Sequence, residues 1–224
     1  MSFDANKDLS NYNGMGVCVG MLNLYQEVIG QHTIEIGYGN ADLLKLLKER
    51  GNICTGIDAS DNNYYTARSK KIDNGLLKLD VSKERLPFPD GIFDSAFAFE
   101  IIEHLENPIY ALQELKRVTK QDGLFFISIP MPSKIMGYKQ GRHAYCYPGL
   151  FEKKNFDRFL MQLNFKFIDY KEESYHAYYK LHNKKYDRMD IRDVVNLDID
   201  ANKLYGDLNW RDVVLEPIEK GPHD

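Results

Sequence analysis

Short apolar runs alternate with segments whose apolar residues recur at helical spacing, and the alternation holds over residues 30–130. Thr33-Ile34-Glu35-Ile36-Gly37 reads as a buried strand ending in glycine. Ala41 to Arg50 follows as a helix, with Leu43, Leu44, Leu46 and Leu47 on its face and Gly51 as its stop. Ile53 to Ile57 is a second strand and Ser60 to Ile72 a second helix. Leu76 to Leu79 is a short third strand, and Phe93 to Phe99 a fourth. Pro108 to Thr119 is a helix with Ile109, Leu112, Leu115 and Val118 on one side. Gly123 to Ile129 is a fifth strand, stopped by Pro130. Before this block, Gly16 to Ile29 has the pattern of an amphipathic helix. After it come a helix over Glu152 to Leu163, a sixth strand over Phe165 to Tyr170 and a fainter seventh over Tyr175 to Leu181.

Strand–helix alternation with short turns implies right-handed crossovers and a parallel sheet covered on both faces. A length of 224 residues fits one domain, or one with an appendage, and can bury a full core without a disulfide or metal staple. Hydrophobic residues make up 43% and charged residues 28%, the balance of a soluble globular protein, with no apolar run long enough for a membrane helix. Acids outnumber bases by 33 to 29, which argues against a nucleic-acid binder. Met1-Ser2-Phe3-Asp4 lacks the basic start of a signal peptide. Cys18, Cys54 and Cys146 are widely spaced and odd in number, as expected for reduced thiols of a cytoplasmic protein. Residues 184–224 carry an excess of acids and few clear periods. They read either as a solvated tail or as an arm packing over the active site or on a partner subunit, through which a homodimer could form.

In an open parallel sheet, ligands bind beyond the carboxyl ends of the strands. The first such loop is Glu35-Ile36-Gly37-Tyr38-Gly39-Asn40, where two glycines permit positive φ and close backbone approach to a ligand. Asp58 ends the second strand about 20 residues on, the place of a ribose-binding carboxylate. Leu79-Asp80-Val81 ends the third strand with another acid, suited to accept from an adenine amino group. A dinucleotide fingerprint needs glycine at position 42, where Asp42 stands and would repel a pyrophosphate. No Tyr-x-x-x-Lys pair follows the fifth strand, so a nicotinamide-dependent reductase is disfavoured. Leu86-Pro87-Phe88-Pro89-Asp90-Gly91-Ile92-Phe93-Asp94 leads into the fourth strand, and Glu103-His104-Leu105-Glu106-Asn107-Pro108 follows it.

These elements, in this order, resemble the class I S-adenosylmethionine (SAM)-dependent methyltransferases, small-molecule branch. The resemblance covers residues 30–130 closely and the last third loosely. It implies an α/β, Rossmann-like doubly wound fold: a mostly parallel seven-stranded sheet, helices on both faces and a C-terminal extension. The methyltransferase domain would span residues 1–183, with its core at 30–130, a lid loop at 131–150 and the extension at 184–224. The resemblance implies that SAM is the cofactor. Glu35, Gly37, Tyr38 and Gly39 would pass beneath its methionine part, and Asp58 and Ala59 would meet the ribose. Asp80 and Val81 would meet the adenine, and Phe99 the methionine amine. Asn40 is expected to stand where the family has its third glycine.

Methyl transfer to a hydroxyl or ammonium requires removal of a proton, and histidine suits that near neutral pH. His143 lies in the segment Gly141-Arg142-His143-Ala144-Tyr145-Cys146-Tyr147, which would overhang the site. His143 is the first candidate base and His104 the second. Arg142, Tyr145 and Tyr147 would line the wall for a sugar, phenolic or other small-molecule acceptor. Tyr12 or Tyr25 of the N-terminal segment would approach the cofactor. No His, Cys and acid cluster has metal-ligand spacing, so no metal is expected. The other reading left open is a SAM-binding module or regulatory subunit that has lost catalysis. An adenine N6-methyltransferase would need an Asn/Asp-Pro-Pro-aromatic run where Phe99-Glu100-Ile101-Ile102 stands.

Overall fold

Seven strands form one sheet in the order β3-β2-β1-β4-β5-β7-β6. The protein is described by a computed structural model over residues 29–72, 74–130, 150–173 and 176–183. In chain order the elements are β1 (His32–Ile36), α1 (Asp42–Glu49), β2 (Ile53–Asp58), α2 (Asp61–Ser69), β3 (Leu76–Lys78) and β4 (Phe93–Phe99). Then come α3 (Pro108–Val118), β5 (Thr119–Pro130), α4 (Lys153–Gln162), β6 (Lys166–Glu173) and β7 (His176–His182). The pairs β3–β2, β2–β1, β1–β4 and β4–β5 are parallel. β7 is antiparallel to both β5 and β6.

The parallel strands are buried on both faces, which is why they read as continuous apolar runs. Ile34, Ile36, Ala96, Phe97, Phe125 and Ile127 are all fully buried. α1 buries Leu43, Leu44, Leu46 and Leu47. Each such leucine is worth roughly 1.5–3 kcal/mol relative to an exposed one. Phe97 and Phe126 stack at 5.1 Å between ring centroids in the same cluster.

Several expected boundaries move, each for a local reason. Ser60 lies outside α2 as its cap, accepting from the Asn63 amide at 3.3 Å. Asn107 caps α3, accepting from the Tyr110 amide at 3.0 Å, with Pro108 at the first helical position. β5 begins at Thr119, directly after α3, and includes Pro130, which pairs with His176. The Asn183 side chain holds this junction, donating to the carbonyls of Lys116, Thr119 and Lys120 at 2.8–3.0 Å.

The Leu86–Asp94 stretch is held by α3. The Arg117 guanidinium donates to the Leu86 and Phe88 carbonyls at 2.9 and 2.8 Å and to Asp90 at 2.7 Å. It also grips both oxygens of Glu114, one of which accepts from the Leu86 amide at 2.9 Å. Asp94 accepts from the amides of Gln31 and His32, tying the start of β4 to the start of β1. Among the described residues, no helix is long and apolar enough to cross a membrane.

Candidate active site

The strand order reverses between β1 and β4, so the loops leaving their carboxyl ends open a crevice at the switch point. Gly37 leaves β1 at φ +68° and Gly39 follows at +49°. A Cβ on Gly37 would lie 2.4 Å from Cγ1 of Ile101, which follows β4, so only glycine lets the two loops meet here. The third left-handed residue of the turn is Ala41, at φ 59°. This corrects the expectation for Asn40, which has no positive φ: the departure from glycine lies one residue further on. Left-handed backbone costs an L-residue roughly 1–2 kcal/mol. The Ala41 amide donates to the Tyr38 carbonyl at 2.7 Å, closing the turn over Gly39 and Asn40, and the Ala41 methyl is fully buried.

Asp58 ties this turn to the next loop. Its Oδ2 accepts from the Gly39 amide and from the Asn63 side chain, both at 3.0 Å, and its Oδ1 accepts from the Ser60 amide at 2.9 Å. Asp80 is organised similarly, with Oδ1 accepting from the Ser82 amide at 3.0 Å. Lys83 approaches the other Asp80 oxygen at 3.4 Å and Glu106 at 2.8 Å.

Between these loops lies a cavity of about 270 Å³. Of the expected cofactor residues, Gly37, Asp58, Ala59, Asp80 and Val81 line it, and so does His104. His104 ends a single 3₁₀ turn, Ile102–His104, with its side chain about half exposed. Glu35, Tyr38, Gly39 and Phe99 are not on the cavity wall. Tyr38 and Phe99 sit in the apolar cluster instead, Phe99 against Phe97 at 5.9 Å between ring centroids. In a strand, side chains two apart share a face, and β4 turns both rings inward. His143, Arg142, Tyr145, Tyr147, Tyr12, Tyr25 and the helix over Gly16 to Ile29 lie outside the described residues, except Ile29, which forms a bend.

Several lining residues were not singled out in the sequence: Ile101, Leu105, Ser82, Lys83 and Glu106. Ile101, Leu105 and Glu106 flank the recognised His104, so their position was available. Lys83 carries no pattern that distinguishes it from a solvated lysine. Among the described residues, no group of three His, Cys, Asp or Glu side chains could hold a metal ion.

Glu35 stands behind the cavity, 4% exposed, with Oε2 lacking a hydrogen-bond partner among the described residues. Burial, then the charges of Asp58 and Asp42, push its carboxyl up to about 8. Burial and then Asp58 push the Tyr38 phenol up to about 12. Glu103, 1% exposed, is also raised, by burial and then by Glu100. Glu100 adopts φ 51°, and its carboxylate accepts from the Ser128 hydroxyl at 2.6 Å.

Residues 34–127 match the family described as a methyltransferase domain. Residues 34–127 thus carry a methyltransferase domain, and the sequence and fold matches together support one of the class I SAM-dependent kind. Over 108 residues it is 29% identical to the ubiquinone biosynthesis O-methyltransferase of Haemophilus ducreyi, covering 45% of this chain and 46% of that one. It is 27% identical over 99 residues to the malonyl-[acyl-carrier protein] O-methyltransferase of Serratia marcescens, covering 44% and 38%. The chain thus spans about half the length of the curated relatives it matches. The fold of the methyltransferase domain recurs in the SAM-dependent methyltransferase of Mesorhizobium loti, at TM-score 0.62 and 15% identity over 78% of this chain and 99% of that one. It also recurs in that of Aquifex aeolicus, at 0.60 and 19% over 80% and 98%. SAM is the cofactor of such a domain. The residues present fit it: an anchored pair of acids at successive strand ends faces a turn that comes within contact of the next loop.

Proposed function

We propose that this chain transfers the methyl group of SAM to a small-molecule acceptor, at an oxygen rather than a nitrogen. One juxtaposition supports the reading: Gly37, Asp58 and Asp80, from three successive strand ends, line one cavity at the switch point. The named O-methyltransferase relatives support an oxygen acceptor.

In this reading Asp58 accepts from the ribose through the Oδ1 lone pair that Ser60 leaves open, and Ala59 lies beside it. Asp80 and the Val81 amide receive the adenine. Gly37 faces the methionine part, with Tyr38, Gly39 and Glu35 backing it from behind the cavity wall. When bound, the cofactor supplies a methyl group already activated by positive sulfur. The chain has to align the acceptor, exclude water and take a proton; alignment alone can contribute roughly 7–11 kcal/mol. His143 takes that proton, Arg142, Tyr145 and Tyr147 hold the acceptor, and His104 supports the rim. The reading as a module without catalysis rested on the departure from the third glycine. That departure, at Ala41, leaves the left-handed turn in place, so catalysis is the reading we adopt.

Calorimetry with S-adenosylhomocysteine should give micromolar binding, and the chain should form that product from SAM with extracted metabolites. Heat with NADH and none with SAM would overturn the proposal. His143→Ala should lower kcat by roughly 10²–10⁴ with cofactor affinity near normal. His104→Ala should disturb cofactor binding and stability together. If His104→Ala alone abolishes turnover, the two roles are reversed.

A further inference from the structure

The glycine turn is anchored from two sides. Asp58 holds its inner side, through the Gly39 amide. On its outer side stands Lys70, the C-cap residue of α2, whose ammonium donates to the Asn40 carbonyl at 2.6 Å and to Asp42 Oδ1 at 2.5 Å. These two acceptors flank Ala41, the residue that holds a left-handed conformation without being glycine. The Lys70 and Asp42 side chains are only 30% and 27% exposed, so the contact is partly screened from solvent. Ala41 is also the N-cap of α1 and makes no side-chain cap. No side chain of its own therefore fixes the start of that helix.

We infer that Lys70 is a positioning residue for the cofactor: it clamps Asn40 and Asp42 and so holds the turn in the shape a third glycine would adopt without help. The inference rests on the cofactor reading above. Lys70 does not line the cavity and acts only through the turn. Charge-assisted hydrogen bonds to a carbonyl and a carboxylate are among the stronger ones available to a lysine. The clamp also accounts for Asp42. Its carboxylate would oppose a pyrophosphate, but here it serves as the far anchor of the clamp.

The experiment compares Lys70→Met, Ala41→Gly, the double variant and Lys70→Arg, with S-adenosylhomocysteine dissociation constants from calorimetry and Tm from thermal unfolding. Lys70→Met should raise the dissociation constant about five- to tenfold, and Lys70→Arg, which can still donate to both acceptors, about twofold or less. In the Ala41→Gly background, where the turn no longer needs holding, Lys70→Met should cost less than about twofold. A role confined to joining α1 and α2 would lower Tm equally in both backgrounds and leave the dissociation constants alone. That outcome, or an equal loss of affinity in both backgrounds, overturns the inference. If Lys70→Met does not fold, Lys70→Gln in the two Ala41 backgrounds carries the same comparison. Failure of the wild-type chain to bind S-adenosylhomocysteine overturns the cofactor reading and this inference with it. Binding that is indifferent to Lys70 overturns this inference alone.

Discussion

The two halves of the sheet are built on different principles. On the β3-β2-β1-β4 side, parallel strands end in tight turns, and the side chains at those ends are acids: Glu35, Asp58, Asp80 and Glu100. On the β5-β7-β6 side, the interior is made of rings. Phe125 packs on Phe165 at 4.8 Å, Phe156 on Tyr179 at 5.3 Å and Tyr170 on Tyr179 at 4.9 Å between centroids. Carboxylates gathered at strand ends are costly to bury and bring hydrogen-bond acceptors to one edge of the sheet. Aromatic packing buries large area with little directional demand and builds a wall. In the reading proposed above, the first half is the binding half, and the second holds it in shape.

The largest expected effect tests whether the halves are separable. Phe156 of α4 is fully buried against Phe151, Phe159 and Tyr179. Phe156→Ala should cost about 3–5 kcal/mol of stability in urea unfolding. The molecules that remain folded should bind S-adenosylhomocysteine within about twofold of wild type. A parallel loss of affinity would show that the aromatic half is part of the site.

The same contrast explains what could be read from the residues alone. The parallel half is local: each strand is a short apolar run, the first turn carries glycines, and each acid lies within two residues of its strand's end. Gly37, Asp58 and Asp80 could be named from order alone. The place of Phe99 in the apolar cluster was not legible, because a strand's last residue can face the ligand edge or the core, and only the register of β4 on β1 and β5 decides. The Asn40 expectation missed by one residue because residue type alone does not say which position of the turn takes the left-handed conformation, and here it is Ala41. Lys70 could not be found at all. It reaches the turn across 30 residues of chain, and nothing in its neighbours marks it.

The second effect separates the halves by pH. Burial raises the Glu35 carboxyl to about 8 from 4.5. Between those values the folded chain holds a proton that the unfolded chain has released. Stability is then highest below pH 4.5 as far as this group is concerned, and it falls as pH rises towards 8. One such group changes stability by at most about 1.4 kcal/mol per pH unit, so about 2–3 kcal/mol between pH 5 and 7. Glu35→Gln removes the ionisation. Its Tm should exceed that of wild type by a margin that widens from pH 5 to pH 8. Equal slopes for wild type and Glu35→Gln would mean that Glu35 titrates normally and that the binding half is wetter than its burial implies.

The smallest of these effects in stability is also the most diagnostic for function. Asp58 lines the cavity, yet its oxygens already accept from Gly39, Ser60 and Asn63. Its removal therefore frees one turn and one helix start, both near solvent, and the folded core loses little. Tm should fall by only a few degrees. Affinity should fall more, because the ribose contact and the inner anchor of the glycine turn disappear together. The expected loss for Asp58→Ala is about 1.5–3 kcal/mol, roughly ten- to 150-fold in the dissociation constant of S-adenosylhomocysteine. Asp58→Asn divides that loss. An amide oxygen can still accept from Gly39 or Ser60, but its nitrogen must donate, so one anchor is lost and the turn is only half held. Calorimetry on the pair should therefore place Asn between wild type and Ala. If Asn equals Ala, the negative charge facing the ribose carries the affinity and the anchoring adds nothing. If Asn equals wild type, neither the charge of Asp58 nor its second anchor contributes to affinity, and the separation between a binding half and a supporting half fails at its central residue.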